Sequence, residues 1–315
     1  MGIDRPDDAN VPPDKVPDRP VNRPPAETRY RQECYDDLRA ATEQPTQPPA
    51  RSKPAGEQTE NAPSATSWEE NAEQSRWMWT EYKRRWPPEE RPPVDRSKDP
   101  PGTWRSEGDR VLEPADNERV EAACDRIADL EEKRISPALR AIESQDPDRY
   151  LIGLKDCLKG RDRIKEKVYD DMDLLGRSPH EAISLLPDAI RYTFQYDEAR
   201  YTQSVWADVA RLKDQGFKLD KLKNSWSDDD QYKGINSQWI HSGTSQRIEV
   251  QFHTRISFEA KQITHGAYER LRTRQADAFE ELVLEAFQRK VSAEVPVPSG
   301  ATEIPDYQEG EWHAR

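Results

Sequence analysis

Cysteine is scarce in this 315-residue chain: Cys34, Cys124 and Cys157 stand far apart and odd in number. That pattern excludes a disulfide framework and the close pairs of a zinc site, and it allows a reducing compartment. Long apolar runs are missing too. No stretch approaches the roughly 20 apolar residues that a bilayer-spanning helix requires, and the N-terminus, MGIDRPDDANVPPDK, has no apolar signal core. Glycine is held to 13 residues, too few for a collagen repeat. Neither Gly-x-Gly-x-x-Gly nor Gly-x-x-x-x-Gly-Lys-Ser/Thr occurs, which removes the common dinucleotide and P-loop routes to a nucleotide.

Charge and proline are what the chain has in excess. It is 33% hydrophobic and 35% charged, with a mean hydropathy of -1.10, and 18 of its 26 prolines fall at or before Pro101. Residues 1 to 66 hold too little apolar surface to offset chain entropy and are expected to be disordered, with a transient helix at Arg29 to Ala41. The rest of this Pro-rich leader, residues 67 to 104, carries five of the nine tryptophans: Trp68, Trp77, Trp79, Trp86 and Trp104. They read either as a short helix docking its aromatics on a folded domain or as a partner-binding segment. The formal net charge is -13, yet residues 151 to 274 contain 21 Lys/Arg against 19 Asp/Glu. An acidic whole argues against non-specific duplex binding, and a near-neutral segment with a local basic run suits a small polyanion such as a nucleotide.

The folded domain is expected over residues 105 to 295, with an unstructured tail at 296 to 315. Val120, Cys124, Ile127 and Leu130 mark a helix that kinks or stops near Pro137, and a second helical piece holds Leu139 and Ile142. Strands are predicted at Tyr150 to Leu154, Asp188 to Gln195, Phe217 to Trp226, Gly234 to His241 and Arg247 to Phe252, the last two joined by a turn at Ser242 to Ser245. Helices over Arg161 to Met172, around Val205, Val209 and Leu212, and from Ser257 to about Val291 alternate with them. This is an α/β or α+β layer structure, a five-stranded mixed sheet flanked by helices.

Lys159, Arg163 and Lys167 recur every four residues. That spacing stacks three cations on one helical face, or leaves Lys159 at the strand-to-helix turn if it precedes the helix. Cations near a helix start can hold a triphosphate, because backbone N–H groups add positive potential there; a solvated face of i,i+4 pairs is the plainer reading. Asp188 and Glu249 each interrupt an apolar strand. A buried strand carboxylate is costly unless a cation or a metal meets it. Mg²⁺ takes one or two protein carboxylates and leaves its other positions to water and phosphate. Alternation sets Asp188 and Arg191 on opposite strand faces, against a direct pair. Tyr232, in Tyr232-Lys233-Gly234-Ile235-Asn236, reads as an aromatic face for a base or as an ordinary strand-start tyrosine. His253 and His265 have no second ligand at zinc-finger spacing.

Taken in order, these pieces resemble the RelA/SpoT-like synthetase domain of the nucleotidyltransferase fold, and in particular the small and toxic alarmone synthetases, over Lys159 to about Arg272. That family carries R-x-K-x-x-x-S-x-x-x-K, a strand acid followed by Arg, G-Y-x-x-x-H, and E-x-Q-x-R-T leading into a helix with His-x-x-Tyr. The counterparts here are Lys159, Arg163 and Lys167; Asp188 and Arg191; Tyr232 and Asn236; Glu249, Gln251 and Thr254; and His265 with Tyr268. Cys157 stands where the first family arginine would be, and Arg163 takes the place of the serine. Asp188 lies three rather than five residues before its arginine, Leu186 holding the usual place. Asn236 replaces histidine and His253 replaces arginine.

The resemblance implies a Mg²⁺-dependent transfer of the β,γ-pyrophosphoryl group of ATP to the 3′-hydroxyl of GTP, GDP, ATP or ADP. It assigns Asp188 and Glu249 to the metal, Glu249 also to the attacking hydroxyl, and Lys159, Arg163 and Lys167 to the triphosphate. Arg161 would substitute for the missing arginine, Arg191 would stack on adenine and Tyr232 on the acceptor base. Lys233, Asn236, Gln251, His253 and His265 complete the substrate side. A toxic branch implies action in the cytoplasm, delivery as a secreted effector or control by an antitoxin or immunity protein, and no membrane. Transfer to a tRNA 3′ end is the second enzymatic reading, disfavoured by the near-neutral domain. An inactive nucleotide-sensing or protein-binding module is the non-enzymatic one.

Overall fold

In a computed structural model of the chain, residues 65–87, 94–227, 231–273, 276–308 and 310–313 are described. The leader up to residue 64, with its expected transient helix, and the acidic Asp228 to Asp230 loop lie outside them. The first element is helix α1 (Ala65–Arg85), followed by a two-residue pairing of β1 (Trp104–Arg105) with β2 (Val111–Leu112). Helix α2 (Pro114–Leu130) starts with a proline, whose missing N–H is harmless in a first turn, and buries Val120, Ala123, Cys124 and Ile127. No stop occurs at Pro137. A π-helical stretch (Glu131–Ile135) leads into α3 (Ser136–Glu143), so that Pro137 again falls in a first turn.

Strand β3 (Arg149–Ile152), helices α4 (Arg161–Leu175) and α5 (Pro179–Leu185), strand β4 (Arg191–Tyr196) and helix α6 (Tyr201–Asp214) follow. Then come β5 (Phe217–Asn224), β6 (Ile235–His241), β7 (Arg247–Thr254), α7 (Arg255–Arg272), α8 (Ala278–Ala293), β8 (Asp306–Gln308) and β9 (Glu311–His313). The single helical run expected from Ser257 to Val291 is therefore two helices. Each has its own N-terminal cap: Thr254 and Ser257 form a capping box on α7, and Asp277 accepts the Phe279 and Glu280 N–H groups on α8.

The sheet runs β3-β4-β7-β6-β5-β8-β9. Its first five strands are the five expected ones, mixed in sense because β4 and β7 are parallel while their other neighbours are antiparallel. The last two correct the expectation of an unstructured tail. Tyr307 of β8 pairs with Leu222 of β5, and the buried Asn224 amide donates to the Ala301 and Ile304 carbonyls, each at 2.8 Å. Val295, Ala301 and Ile304 are buried. Scattered among prolines and polar residues, these three anchors follow no helical or strand period, which is why the tail reads as coil.

Alternation gives the sheet two unlike faces. Tyr192, Phe194 and Tyr196 of β4, Val250 and Phe252 of β7, and Ile235 and Trp239 of β6 are buried, and with Tyr201 and Trp226 they make an aromatic core. Complete burial of each such side chain contributes about 1.5–3 kcal/mol. Arg149 and Asp208 are buried with them, 2.6 Å apart, and the Tyr196 hydroxyl donates to the same Asp208 oxygen at 2.7 Å. In register on the opposite face stand Arg191, Thr193 and Gln195, then Glu249, Gln251 and His253, then Gln238 and Asn236. Helix α7 packs against β4 and β7.

Helix α1 docks on α7 and α8, which is the first of the two readings of the Trp-rich segment. The Trp68 indole N–H donates to Glu259 at 2.8 Å, and Trp79 stacks on Tyr82 and Phe287 with ring centroids 4.9 and 5.9 Å away. Gly266 makes that approach possible. A Cβ there would lie 2.4 Å from Trp79 Cζ2, closer than two carbons can come.

Candidate active site

Asp188 is not on a strand. Pro187 follows the last residue of α5's cap and starts a turn, and β4 begins only at Arg191. The opposite-face argument drawn from strand alternation therefore does not apply to Asp188 and Arg191. Instead, the segments flanking Leu158 and Ile190 pair through the backbone: Lys159 N–H donates to the Ala189 carbonyl at 3.0 Å and Arg191 N–H to the Cys157 carbonyl at 2.7 Å. This holds Lys159 beside the Asp188 turn, just before Gly160 starts α4. Lys159 Nζ and Lys167 Nζ both meet Asp188 Oδ2, at 3.0 and 2.7 Å. Burial pushes the Asp188 carboxyl up, but the two ammonium groups outweigh it and hold it below the ordinary carboxylate range. Its other oxygen, Oδ1, is buried with no hydrogen-bond partner.

The parallel pairing of β4 with β7 brings the second carboxylate alongside. Arg191 and Glu249 are register partners, and Glu249 N–H donates to the Ile190 carbonyl at 2.9 Å. Burial, reinforced by the Asp188 charge, raises Glu249 above the usual carboxylate range against the pull of Arg191 and Lys261. The Gln251 amide donates to Glu249 Oε1, and Lys261 Nζ donates to Gln251 Oε1. Burial and the neighbouring Arg191 push the Lys261 ammonium down to about 8. Lys261 was missed in the sequence. Its signal is a lysine one helical turn before His265, among Ile256, Ala260 and Ile263, on a helix face otherwise built for burial.

The structure brings Asp188, Glu249, Lys159, Lys167, Arg191 and Gln251 together, and it sends several expected site residues elsewhere. Arg161 is held by Glu121 and Asp125 of α2, each at 2.5 Å. Cys157 faces Glu131 of the π-helical stretch, with Sγ 3.6 Å from Oε1. Arg163 turns away from Asp188 to Glu166 and to Glu269 of α7, both at 2.8 Å. Lys233 is buried and donates to the Ser227 carbonyl. His253 is fully buried, its Nδ1 2.8 Å from Ser257 Oγ and its Nε2 2.6 Å from the Tyr232 hydroxyl, which also donates to Asn236 Oδ1 at 3.0 Å. That chain fixes Tyr232, Asn236 and His253 to one another. Gly234 is obligatory beneath it, since a Cβ would lie 2.7 Å from the His253 ring at φ +145°. His265 lines the surface near Lys261 and Arg191.

The donor set fits one hard divalent cation. Asp188 offers a buried oxygen that no protein group satisfies, Glu249 stands beside it, and both are oxygen ligands of the kind Mg²⁺ prefers. Among the described residues no group of three or more His, Cys, Asp and Glu gathers, so the protein could contribute two carboxylates at most here. No helix among the described residues is long and apolar enough to cross a membrane.

No protein-family model and no curated protein matches the chain. Solved structures do resemble it. One is a GTP pyrophosphokinase family protein from Streptococcus pneumoniae, 16% identical, covering 57% of this chain and 89% of its own, with a TM-score of 0.39. Another is small alarmone synthetase 1 from Bacillus subtilis bound to its product pppGpp, 14% identical, covering 56% of this chain and 90% of its own, with a TM-score of 0.40. These are similarities of chain path; the chemical case is made by the side chains.

Proposed function

We propose that the chain is a nucleotide pyrophosphokinase, moving the β,γ-pyrophosphoryl group of ATP to the 3′-hydroxyl of a purine nucleotide. The observation that carries this reading is the pairing of a buried, unsatisfied Asp188 oxygen and a second carboxylate, Glu249, with a shell of Lys159, Lys167, Arg191 and Lys261. Four cations around two acids exceed what the acids need, and a polyphosphate supplies the missing negative charge. Mg²⁺ held by Asp188 and Glu249 would neutralise phosphate charge when bound.

The remaining chemistry belongs to the side chains. The acceptor oxygen attacks the β-phosphorus of ATP, the bond from that phosphorus to the α–β bridging oxygen breaks, and AMP leaves with the electron pair. Glu249, raised in pKa by burial, is the base that takes the hydroxyl proton. Gln251, tied to Lys261, holds the Glu249 carboxylate in place. Lys159 and Lys167 exchange Asp188 for phosphate oxygens, which suits a transfer that depends on positioning and charge stabilisation. Arg191, adjacent in register, reaches the same phosphates or the donor base. Incubating the full chain with labelled ATP, Mg²⁺ and each of GTP, GDP, ATP and ADP should release AMP with one acceptor, and Glu249→Gln should lower the rate by at least 10²-fold, the lower end of a general base's contribution. Unchanged turnover in that variant would remove Glu249 from the reaction. Nucleotide binding without AMP would instead favour the sensing module.

A further inference from the structure

The cations of the cleft do not share one task. Lys159 and Lys167 close on Asp188, and the charges acting on Lys159 are Asp188, Lys167 and Arg191. Lys261 lies at the other end of the cluster. It rises from α7, which packs on β4 and β7, and the charges acting on it are Arg191 and Glu249. Its ammonium stands 5.3 Å from the centroid of the Phe258 ring, donates to Gln251 Oε1, and makes no ion pair among the described residues. Gln251 is buried, and both ends of its amide are engaged. Oε1 accepts from Lys261 and, at 3.5 Å, from the buried Thr193 hydroxyl beside it in register, while Nε2 donates to Glu249 Oε1. Lysine can only donate, so the amide oxygen must face Lys261 and the NH2 must face the carboxylate. Turned over, the amide would set NH2 against ammonium and oxygen against carboxylate. Thr193 does not impose this choice, since a hydroxyl both donates and accepts. Glu249 ceases to impose it once it has taken a proton, because a protonated carboxyl can donate to an amide oxygen. Lys261 holds the amide the same way round in both states.

Resting on the reading of the cleft as a pyrophosphoryl-transfer site, we propose that Lys261 is a positioning residue: through Gln251 it commits Glu249 Oε1 to a hydrogen bond and reserves Oε2 for the acceptor hydroxyl. Among the described residues no side chain donates to Oε2. In the transfer step the hydroxyl O–H bond breaks, the proton goes to Oε2, and the electron pair left on the hydroxyl oxygen forms the bond to the β-phosphorus as AMP departs. A Gln251 amide free to turn would let Glu249 swing about its last bond and present either oxygen, in a reaction that depends on the reacting atoms being aligned. Lys261 therefore acts on kcat, and the holding of phosphate is left to Lys159 and Lys167.

The test uses the full chain with Lys261→Met, Lys261→Arg, Gln251→Leu and the double variant Lys261→Met/Gln251→Leu. Values of kcat and KM are measured for ATP and the preferred acceptor, and binding of inorganic tripolyphosphate is measured beside Lys159→Met. Lys261→Met should lower kcat by about 10- to 100-fold, the scale of a misaligned reacting group, with both KM values and tripolyphosphate affinity essentially unmoved. Lys159→Met should weaken tripolyphosphate. Lys261→Arg keeps a charged donor and should recover most of the lost kcat. Gln251→Leu should cost as much as Lys261→Met, and the double variant no more than either, because the two residues act as a unit. Should Lys261→Met not fold, Lys261→Gln takes its place: an amide there allows Gln251 either orientation, so the same loss of kcat is expected. Losses that multiply in the double variant would overturn the proposal. So would weaker tripolyphosphate binding or a raised KM for ATP in Lys261→Met, which would make Lys261 a phosphate ligand like Lys159. Absence of AMP formation in the wild type would sink the transfer reaction by itself, and the relay is then judged by urea unfolding of the wild type, the two single variants and the double. Their stability losses should overlap, and additive losses would overturn the relay as well.

Discussion

Gly266→Ala should be destabilising in this chain and stabilising once Trp79 is gone. Inside a helix, alanine is preferred to glycine by about 1 kcal/mol, so in isolation the change would help α7. The added Cβ, however, would sit 2.4 Å from Trp79 Cζ2, 2.8 Å from Cε2 and 2.9 Å from Nε1. Non-bonded carbons rest about 3.5–4.0 Å apart, so the indole must retreat by about 1 Å or more. It has little room to do so, being stacked against Tyr82 and Phe287. Overpacking of this kind costs about 1–3 kcal/mol, which leaves a net loss of up to about 2 kcal/mol. In a Trp79→Ala background the clash disappears and Gly266→Ala should gain about 1 kcal/mol. Urea unfolding of the four chains of this cycle measures the coupling directly. If Gly266→Ala stabilised both backgrounds equally, α1 would not be docked on α7 as described.

Two further outcomes follow from buried charge. Asp208 forms an ion pair with Arg149 at 2.6 Å and accepts from Tyr196 at 2.7 Å and Arg211 at 2.8 Å, and Asp208→Ala would strand the buried Arg149 guanidinium, at a cost of about 3–5 kcal/mol; a loss under about 1 kcal/mol by urea unfolding would show that the pair is relaxed by water. Lys261 gives a pH dependence. Its folded-state pKa is about 8 against 10.5 for the ordinary side chain, so between these values the unfolded chain holds the extra proton and stability rises with pH, by at most about 1.4 kcal/mol per pH unit. Below pH 8 that contribution is absent. The stability of the wild type minus that of Lys261→Met should climb across this window, and parallel curves for the two proteins would show that Lys261 keeps an ordinary pKa.

The central five strands were legible because each is a short β-rich run bounded by turn residues, and the Ser242 to Ser245 turn marks the β6–β7 hairpin. What escaped was decided by contacts distant in sequence. Asp188 reads as a strand residue because Ala189, Ile190 and Tyr192 surround it, and only the cap of α5 and the bridge from Leu158 turn it into a loop. Lys261 is invisible to a motif search yet lies nearer to Glu249 in charge terms than Arg163, which the four-residue spacing promoted. Arg161 could not be separated from Lys159 by spacing, since its partners Glu121 and Asp125 lie about forty residues upstream. His253 was put on the substrate side by the resemblance alone, and its enclosure by Tyr232 rests on a contact twenty-one residues away in sequence.

The β8–β9 hairpin has a practical corollary for anyone trimming the protein. A fragment ending at 295 would bare the sheet margin at Leu222 of β5, where Tyr307 pairs, and take the Ala301 and Ile304 carbonyls away from the Asn224 amide, and one starting at 105 would strip the indole lid from α7. Unpaired margins of this kind recruit other chains. Such a fragment would clump in the test tube, and silence from it would say nothing about the chemistry of the intact molecule.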